Sequence, residues 1–335
     1  MKFKNIVQCL LLLLLTNLSF GQKVNTNTAD KNYSNFAYVD AIATYEKLAE
    51  KGYKDQRMFQ KLGNAYYFNA DLNNAAKWYE ALFDMNQDQE PEYYYRYSQC
   101  LKAINDYKKA DKMLELFNRK SGNDQRANLF EKNKDYLAII KANSGRFSIE
   151  DAGINSNYSD YGSSISGNKL VFASARDTGG TAKKVFRWTN QSFTNLYSSE
   201  INTDGSLGAP KRLAKAINSK FHESTPVFTK DGTTMYFTRN NYVNGKRGRD
   251  TDHVTLLKLY KATLQDNNWS NVIELPFNSD NYSVAHPALS TDEQTLYFAS
   301  DMPGTLGQSD LFKVKINTNG TFSDPINLEF IAFAR

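Results

Sequence analysis

The chain has 335 residues, 41% hydrophobic and 23% charged, with a mean hydropathy of −0.60. This is a soluble globular composition with room for about two domains. The net charge of +5, about +3 once Lys2 and Lys4 are removed, is too mild to predict nucleic-acid binding.

The first segment carries Lys2 and Lys4, then Ile6, Val7 and the apolar run Leu10–Leu15, then Ser19-Phe20-Gly21 ahead of Gln22. A basic start, a short apolar core and small residues at a cleavage point predict a secretory signal peptide over residues 1–21. The apolar core is shorter than the roughly 20 residues that span a bilayer, so no membrane span is expected after cleavage. Cys9 precedes the leucine run, which argues against lipidation. Beyond the signal only Cys100 remains. No internal disulfide is then available, and Cys100 at an apolar helical position reads as a buried small hydrophobe. Export without disulfides fits a bacterial periplasm.

Residues 23–143 read as a helical repeat domain, in which the pattern from about Tyr38 to Phe117 repeats every 34–35 positions. Ala41, Tyr45 and Leu48 match Ala75, Tyr79 and Leu82, and then Ala110, Leu114 and Phe117. The spacing i, i+4, i+7 defines one helix face. A preceding helix in each unit places Leu62-Gly63 and Tyr66 against Tyr97-Ser98 and Leu101. The turns Asn69-Ala-Asp-Leu-Asn and Ile104-Asn-Asp-Tyr-Lys supply caps. Segment 36–50 reads as the second helix of an earlier pair. A last helix over 124–142, with Leu129, Tyr136, Leu137 and Ile140 on one face, is expected to close the stack. Tyr79 is predicted to be buried, with Trp78 about 100° away around the helix. The rings of Tyr93-Tyr94-Tyr95 must point three ways.

The set Leu62, Gly63, Tyr66, Ala75 and Tyr79 resembles the tetratricopeptide repeat. Ser98 and Tyr97 depart from that pattern in the next unit. The resemblance implies a groove lined by the first helix of each pair. Carried over, it places Arg57, Gln60, Asn64, Tyr67, Glu92, Tyr95, Gln99 and Lys102 there. Asn64, Tyr67, Tyr95, Gln99 and Lys102 are the candidate partner-binding residues. The competing reading of the same face is a solvated or covered surface.

Residues 146–328 read as a strand domain, in which the pattern from about Ser164 to Leu328 repeats at 65 and 61 positions. Three copies stand out: Leu170-Val-Phe-Ala-Ser174, Met235-Tyr-Phe-Thr-Arg239 and Leu296-Tyr-Phe-Ala-Ser300. Each follows a tight turn, at Gly167-Asn168, Asp231-Gly232 and Asp292-Glu293. Two of those turns follow strands led by Pro226 and Pro287. Further strands hold Leu196-Tyr197, Leu259-Tyr260 and Leu311-Phe312. They run into hairpin signals at Asp204-Gly205, Asn267-Asn268 and Asn319-Gly320. Four short antiparallel strands per unit describe a propeller blade. Residues 296–312, with Ser300-Asp301 and Pro303-Gly304, resemble the WD40-like repeat of the TolB type. Three blades form an incomplete propeller, and residues 329–335 read as an atypical end where a fourth blade should begin.

The expected fold class is therefore α then β: a tetratricopeptide-like solenoid followed by a partial, three-blade propeller. With its signal segment, this order is similar to the N-terminal part of OmpA-family envelope proteins. The resemblance implies a non-catalytic scaffold, periplasmic and associated with the outer membrane. Its partners would be envelope proteins, linked to peptidoglycan attachment or to type IX secretion and gliding assemblies. Peptidoglycan would be reached only through a C-terminal domain that this chain lacks, which suggests a truncation or fragment. Two alternatives are the regulatory propeller of a secreted peptidase and a cell-wall glycan-binding propeller. No catalytic residues, metal ligands or cofactor are expected. His222, His253 and His286 lack zinc-ligand spacing. Gly162-Ser-Ser-Ile-Ser166 fails as a nucleophile elbow. The basic loop Lys246-Arg-Gly-Arg249 reads as a solvated tip.

Overall fold

A computed structural model describes residues 26–176, 185–243 and 245–333. The signal-segment expectations lie outside the described residues. The chain folds as two compact units. Of the described residues, one unit holds 26–148 together with Phe186–Asn190, and the other holds 149–176, Val185 and those from Gln191 to Phe333.

Among the described residues the first unit has eight helices. They are α1 (26–34), α2 (Tyr38–Glu50), α3 (Gln56–Phe68), α4 (Leu72–Met85), α5 (Pro91–Ala103), α6 (Tyr107–Ser121), α7 (Gln125–Lys132) and α8 (Tyr136–Asn143). The repeat period is visible in the turns. Phe36, Ala70 and Asn105, 34 and 35 positions apart, all have positive φ (56°, 58° and 64°). The side chains of Asp71 and Asp106 then accept from the backbone N–H of Asn74 and Lys109, each covering an otherwise orphaned donor at a helix start. Gly63 is dictated by packing. A Cβ there would stand 2.5 Å from the Tyr79 ring, so the close approach of α3 and α4 requires glycine.

Four expectations change in this unit. Residues 26–34 are helical, so α2 has a full partner and is not an isolated second helix. Trp78 is buried as well as Tyr79, at 8% exposure. It meets Phe59 at 5.6 Å, because α4 packs on two sides. The single helix over 124–142 is two short helices broken at 133–135. Leu129 and Ile140 of its predicted buried face are 54% and 61% exposed, while Ala127 and Phe130 are buried instead. Finally, Trp188 belongs to this unit. Its ring stacks on Phe36 at 5.7 Å, and its Nε1 donates to the Phe68 carbonyl at 3.2 Å.

The second unit contains three four-stranded antiparallel sheets. The first comprises β1 (Asp160–Ser166) and β2 (Lys169–Ser174), then, past the hairpin of β3 (Val185–Phe186) and β4 (Gln191–Ser192), β5 (Asn195–Glu200) and β6 (Lys211–Arg212). The second comprises β7 (Glu223–Phe228) and β8 (Thr234–Asn240), then, past the hairpin of β9 (Tyr242–Val243) and β10 (Lys246–Arg247), β11 (Leu257–Gln265) and β12 (Asn268–Glu274). The third comprises β13 (Val284–Leu289), β14 (Thr295–Ser300), β15 (Ser309–Lys315) and β16 (Ile326–Phe333). Within each sheet the four main strands follow chain order.

The second sheet is apolar on both faces. Met235 and Phe237 point into a core shared with Val171, Ala173 and Leu196. Tyr236, between them, points the other way, into a core with Val284, Leu296 and Phe298. Side chains alternate along a strand, so a strand covered on both faces reads as one apolar run. Pro226 and Pro287 do not lead their strands but lie within β7 and β13, at register shifts between Ser224 and Val227 and between Ala285 and Ala288. A bulge leaves a residue outside the ladder, which is where a strand tolerates proline. The C-terminal segment also differs from expectation. Residues 329–333 continue β16, with Phe333 opposite Ser309 and Ile331 opposite Asp310.

Candidate functional site

The first helices of the repeat carry a continuous line of polar contacts. On α3, the Asn64 side-chain oxygen accepts from the Tyr79 hydroxyl and from Arg96 Nη1, both at 2.8 Å. Arg96, on α5, also donates its Nε to Glu92 at 3.1 Å. Its guanidinium lies 4.9 Å from the Phe68 ring and 5.8 Å from Tyr67. The other Glu92 oxygen accepts from Arg126 of α7 at 2.9 Å, and Arg126 holds Asp124 as well. Arg126 stands over the Tyr95 ring at 4.2 Å. The chain Asn64–Arg96–Glu92–Arg126–Asp124 thus ties three helices together. Partly exposed ion pairs of this kind contribute about 0–1 kcal/mol each, so their main effect is to fix ring positions.

The structure divides the five predicted residues. Asn64 is withdrawn from the surface. It is 7% exposed and its oxygen is committed to Tyr79 and Arg96, so it supports the wall from behind. Tyr67 and Tyr95 are half-buried neighbours. Burial pushes the Tyr67 hydroxyl up to about 12, and it raises that of Tyr95 against the opposing charge of Arg126. Gln99 continues along α5 and donates to the Ser98 hydroxyl at 3.2 Å. Lys102 ends the line with its ammonium 4.0 Å from the Tyr136 ring. Burial lowers its pKa, and Asp111 works against that shift. The face therefore offers a tyrosine ring on α3 and a tyrosine ring, an amide and a cation along α5. Such groups can contact the carbonyls and acidic side chains of an extended polypeptide.

Sequence reasoning missed Arg96 and Arg126. A signal for the first was present. Lys61 and Arg96 are 35 positions apart, and they stand over Tyr33 and Phe68, also 35 apart. Lys61 pairs with Asp30 as Arg96 does with Glu92.

In the second unit, His222 Nδ1 accepts from the Thr194 backbone N–H at 3.1 Å. Burial lowers its pKa to about 4, so the ring is neutral near pH 7. Glu223 is fully buried beside Arg239, and burial raises its pKa to about 8. One of its oxygens accepts from the Ser219 N–H at 2.9 Å. Among the described residues no group of three His, Cys, Asp or Glu side chains is placed to hold a metal ion. No described helix is long and apolar enough to cross a membrane.

No protein-family model matches the chain, and no curated protein matches it. Solved structures give distant likenesses. One is the type III secretion translocator chaperone SycD of Yersinia enterocolitica, at 22% identity and a TM-score of 0.27, over 37% of this chain and 94% of that one. A second is a puromycin-hydrolyzing peptidase of Mycobacterium tuberculosis, at 13% identity and 0.32, over 52% of this chain and 24% of that one. A third is an alpha-L-arabinofuranosidase of Lactobacillus brevis, at 12% identity and 0.32, over 51% and 52%.

Proposed function

We propose that the chain is a non-catalytic interaction scaffold of the bacterial envelope. In this reading the helix pairs are a tetratricopeptide-like solenoid and the three sheets are propeller blades. The helical face of α3 and α5 binds an extended segment of another envelope protein. The observation that carries the reading is the line of Tyr67 and Tyr95, beside Arg96 and Arg126, with Gln99 on the Ser98 hydroxyl and Lys102 over the Tyr136 ring. Repeats stack to make extended binding surfaces of this kind. Placement outside the cytoplasm rests on the composition of residues 1–21. The OmpA-type association rests on the order of the two repeat arrays behind that segment.

The test is a peptide-array screen with the full chain and with the triple variant Tyr95→Ser, Gln99→Ala, Lys102→Glu. The expected result is a defined set of bound peptides, lost in the variant while its far-ultraviolet circular dichroism is unchanged. An unaltered binding profile would remove this face from the account. Turnover of peptide, ester or glycoside substrates by the purified chain would overturn the non-catalytic reading.

A further inference from the structure

The second unit contains a cavity of about 440 Å³ that nothing above uses. Phe193, Phe221, Tyr242 and Val185 supply its apolar walls, and Lys220 and Arg247 its cations. The rings form a connected wall. Phe193 meets Phe221 edge-on at 5.5 Å, and Phe221 meets Tyr242 at 5.3 Å. Arg247 stands 5.5 Å from the Phe221 ring.

Three features indicate what the cavity fits. First, its cations are uncompensated. Lys61, Arg96, Lys109, Lys120 and Arg126 also stand over rings and pair with a carboxylate, whereas Lys77, Lys102 and Arg146 stand over rings with no such pair among the described residues. Among the described residues neither Arg247 nor Lys220 has such a partner. Second, the cation is placed by packing. The β9–β10 hairpin is anchored by buried Asn241, whose amide donates to Asp280 at 2.6 Å and whose carbonyl accepts from the Gly248 N–H at 2.9 Å. A Cβ at Gly248 would lie 2.1 Å from the Asn241 amide, so the residue after Arg247 must be glycine for the hairpin to close here. Third, among the described residues no carboxylate or carboxamide side chain lines the cavity. A neutral sugar would find no carboxylate or carboxamide side chain among the described lining residues to accept from its hydroxyls, and a hydroxyl buried unpaired carries a cost.

We propose that this cavity binds an apolar or aromatic group bearing a single carboxylate, either the terminal residue of a peptide or a free aryl acid. The rings take the apolar body. Arg247 and Lys220 take the carboxylate through charge-assisted hydrogen bonds, the stronger class of such bonds. The basic loop thereby contributes a ligand group and is more than a solvated tip.

Isothermal titration of the full chain tests this with 3-phenylpropionate, the tripeptide Gly-Gly-Phe, its C-terminal amide, and glucuronate. Saturable binding of either of the first two supports the proposal. Binding of the tripeptide alone assigns a peptide terminus, and binding of phenylpropionate alone assigns a free acid. The amide should bind at least tenfold more weakly, and so should both acids to the Lys220→Gln, Arg247→Gln variant. Both substituted residues are exposed, so the variant should keep the parent melting temperature. Three results would each overturn the proposal: no binding of either acid at millimolar concentration, equal binding of acid and amide, or glucuronate binding more tightly than the aromatic acids.

Discussion

Replacing Gly63 by alanine should destabilise the helical unit although alanine is the better helix former. The new Cβ would stand 2.5, 2.6 and 3.0 Å from Cε1, Cδ1 and Cζ of Tyr79. The ring has little room to retreat. Tyr79 is fully buried, its hydroxyl is bonded to Asn64 at 2.8 Å, and Tyr93 and Tyr97 lie 6.4 and 6.1 Å from its centroid. Overpacking a tight core costs about 1–3 kcal/mol, and contacts this short place the cost near the upper end. The gain in helix propensity returns about 1 kcal/mol, leaving a net loss of about 2 kcal/mol. The adjacent repeat supplies a control. It has Ser98 in place of Gly63 and Leu114 in place of Tyr79, so a small side chain is accompanied by a smaller partner. The double variant Gly63→Ala, Tyr79→Leu should therefore recover part of the loss. Urea unfolding followed at 222 nm measures both. A Gly63→Ala protein as stable as the parent would refute the close approach of α3 and α4 and the burial of Tyr79 between them.

Tyr79→Ala should cost about 2–5 kcal/mol, in the range of large-to-small core changes, and a loss below 1 kcal/mol would refute the helix register. Burial pushes the Cys100 thiol up to about 12, so it should resist iodoacetamide at pH 8 in the folded protein and react once urea unfolds it. Fast labelling of the native chain would contradict its burial. The raised pKa of Glu223 means that the folded state holds a proton which the unfolded state releases near 4.5. Its contribution to stability is full below about 4.5 and is lost as pH rises toward about 8. Glu223→Gln should flatten that fall in a melting-temperature series from pH 5 to 9. A parallel pair of curves would show that Glu223 ionises freely in the folded chain.

Legibility in the sequence followed the strength of each local signal. The 35-residue period fixed α2 to α6 because Ala, Tyr and Leu recur on one face and Asp71 and Asp106 cap at matching places. The helix at 26–34 was missed because its sequence is polar and weakly helix-forming. It is held by Ala29 and Tyr33 packing against the rest of the unit, which is tertiary information. The expected closing helix failed for the opposite reason, since Leu129 and Ile140 keep the apolar spacing without a surface to cover. In the strand repeats, the recurring runs such as Tyr236-Phe237 placed the strands, and it is the structure that shows them buried on both faces. The bulges at Pro226 and Pro287 went unread because a proline looks like the start of a strand. At the candidate site the rings were legible from the repeat. Of their supports, Arg96 had a signal in its match to Lys61 35 positions earlier, while the long-range bonds of Arg96 to Asn64 and of Arg126 to Glu92 join residues 32 and 34 apart and left no local trace.

The most direct test of the scaffold reading is site-specific photocrosslinking in cells. A benzophenone amino acid would replace Gln99 on the proposed binding face, and in a second strain Lys112, an exposed position on α6. The account predicts one discrete adduct from position 99, abolished by Lys102→Glu, and none from position 112. Equal adducts from both positions, or none from position 99, would contradict partner binding by this face.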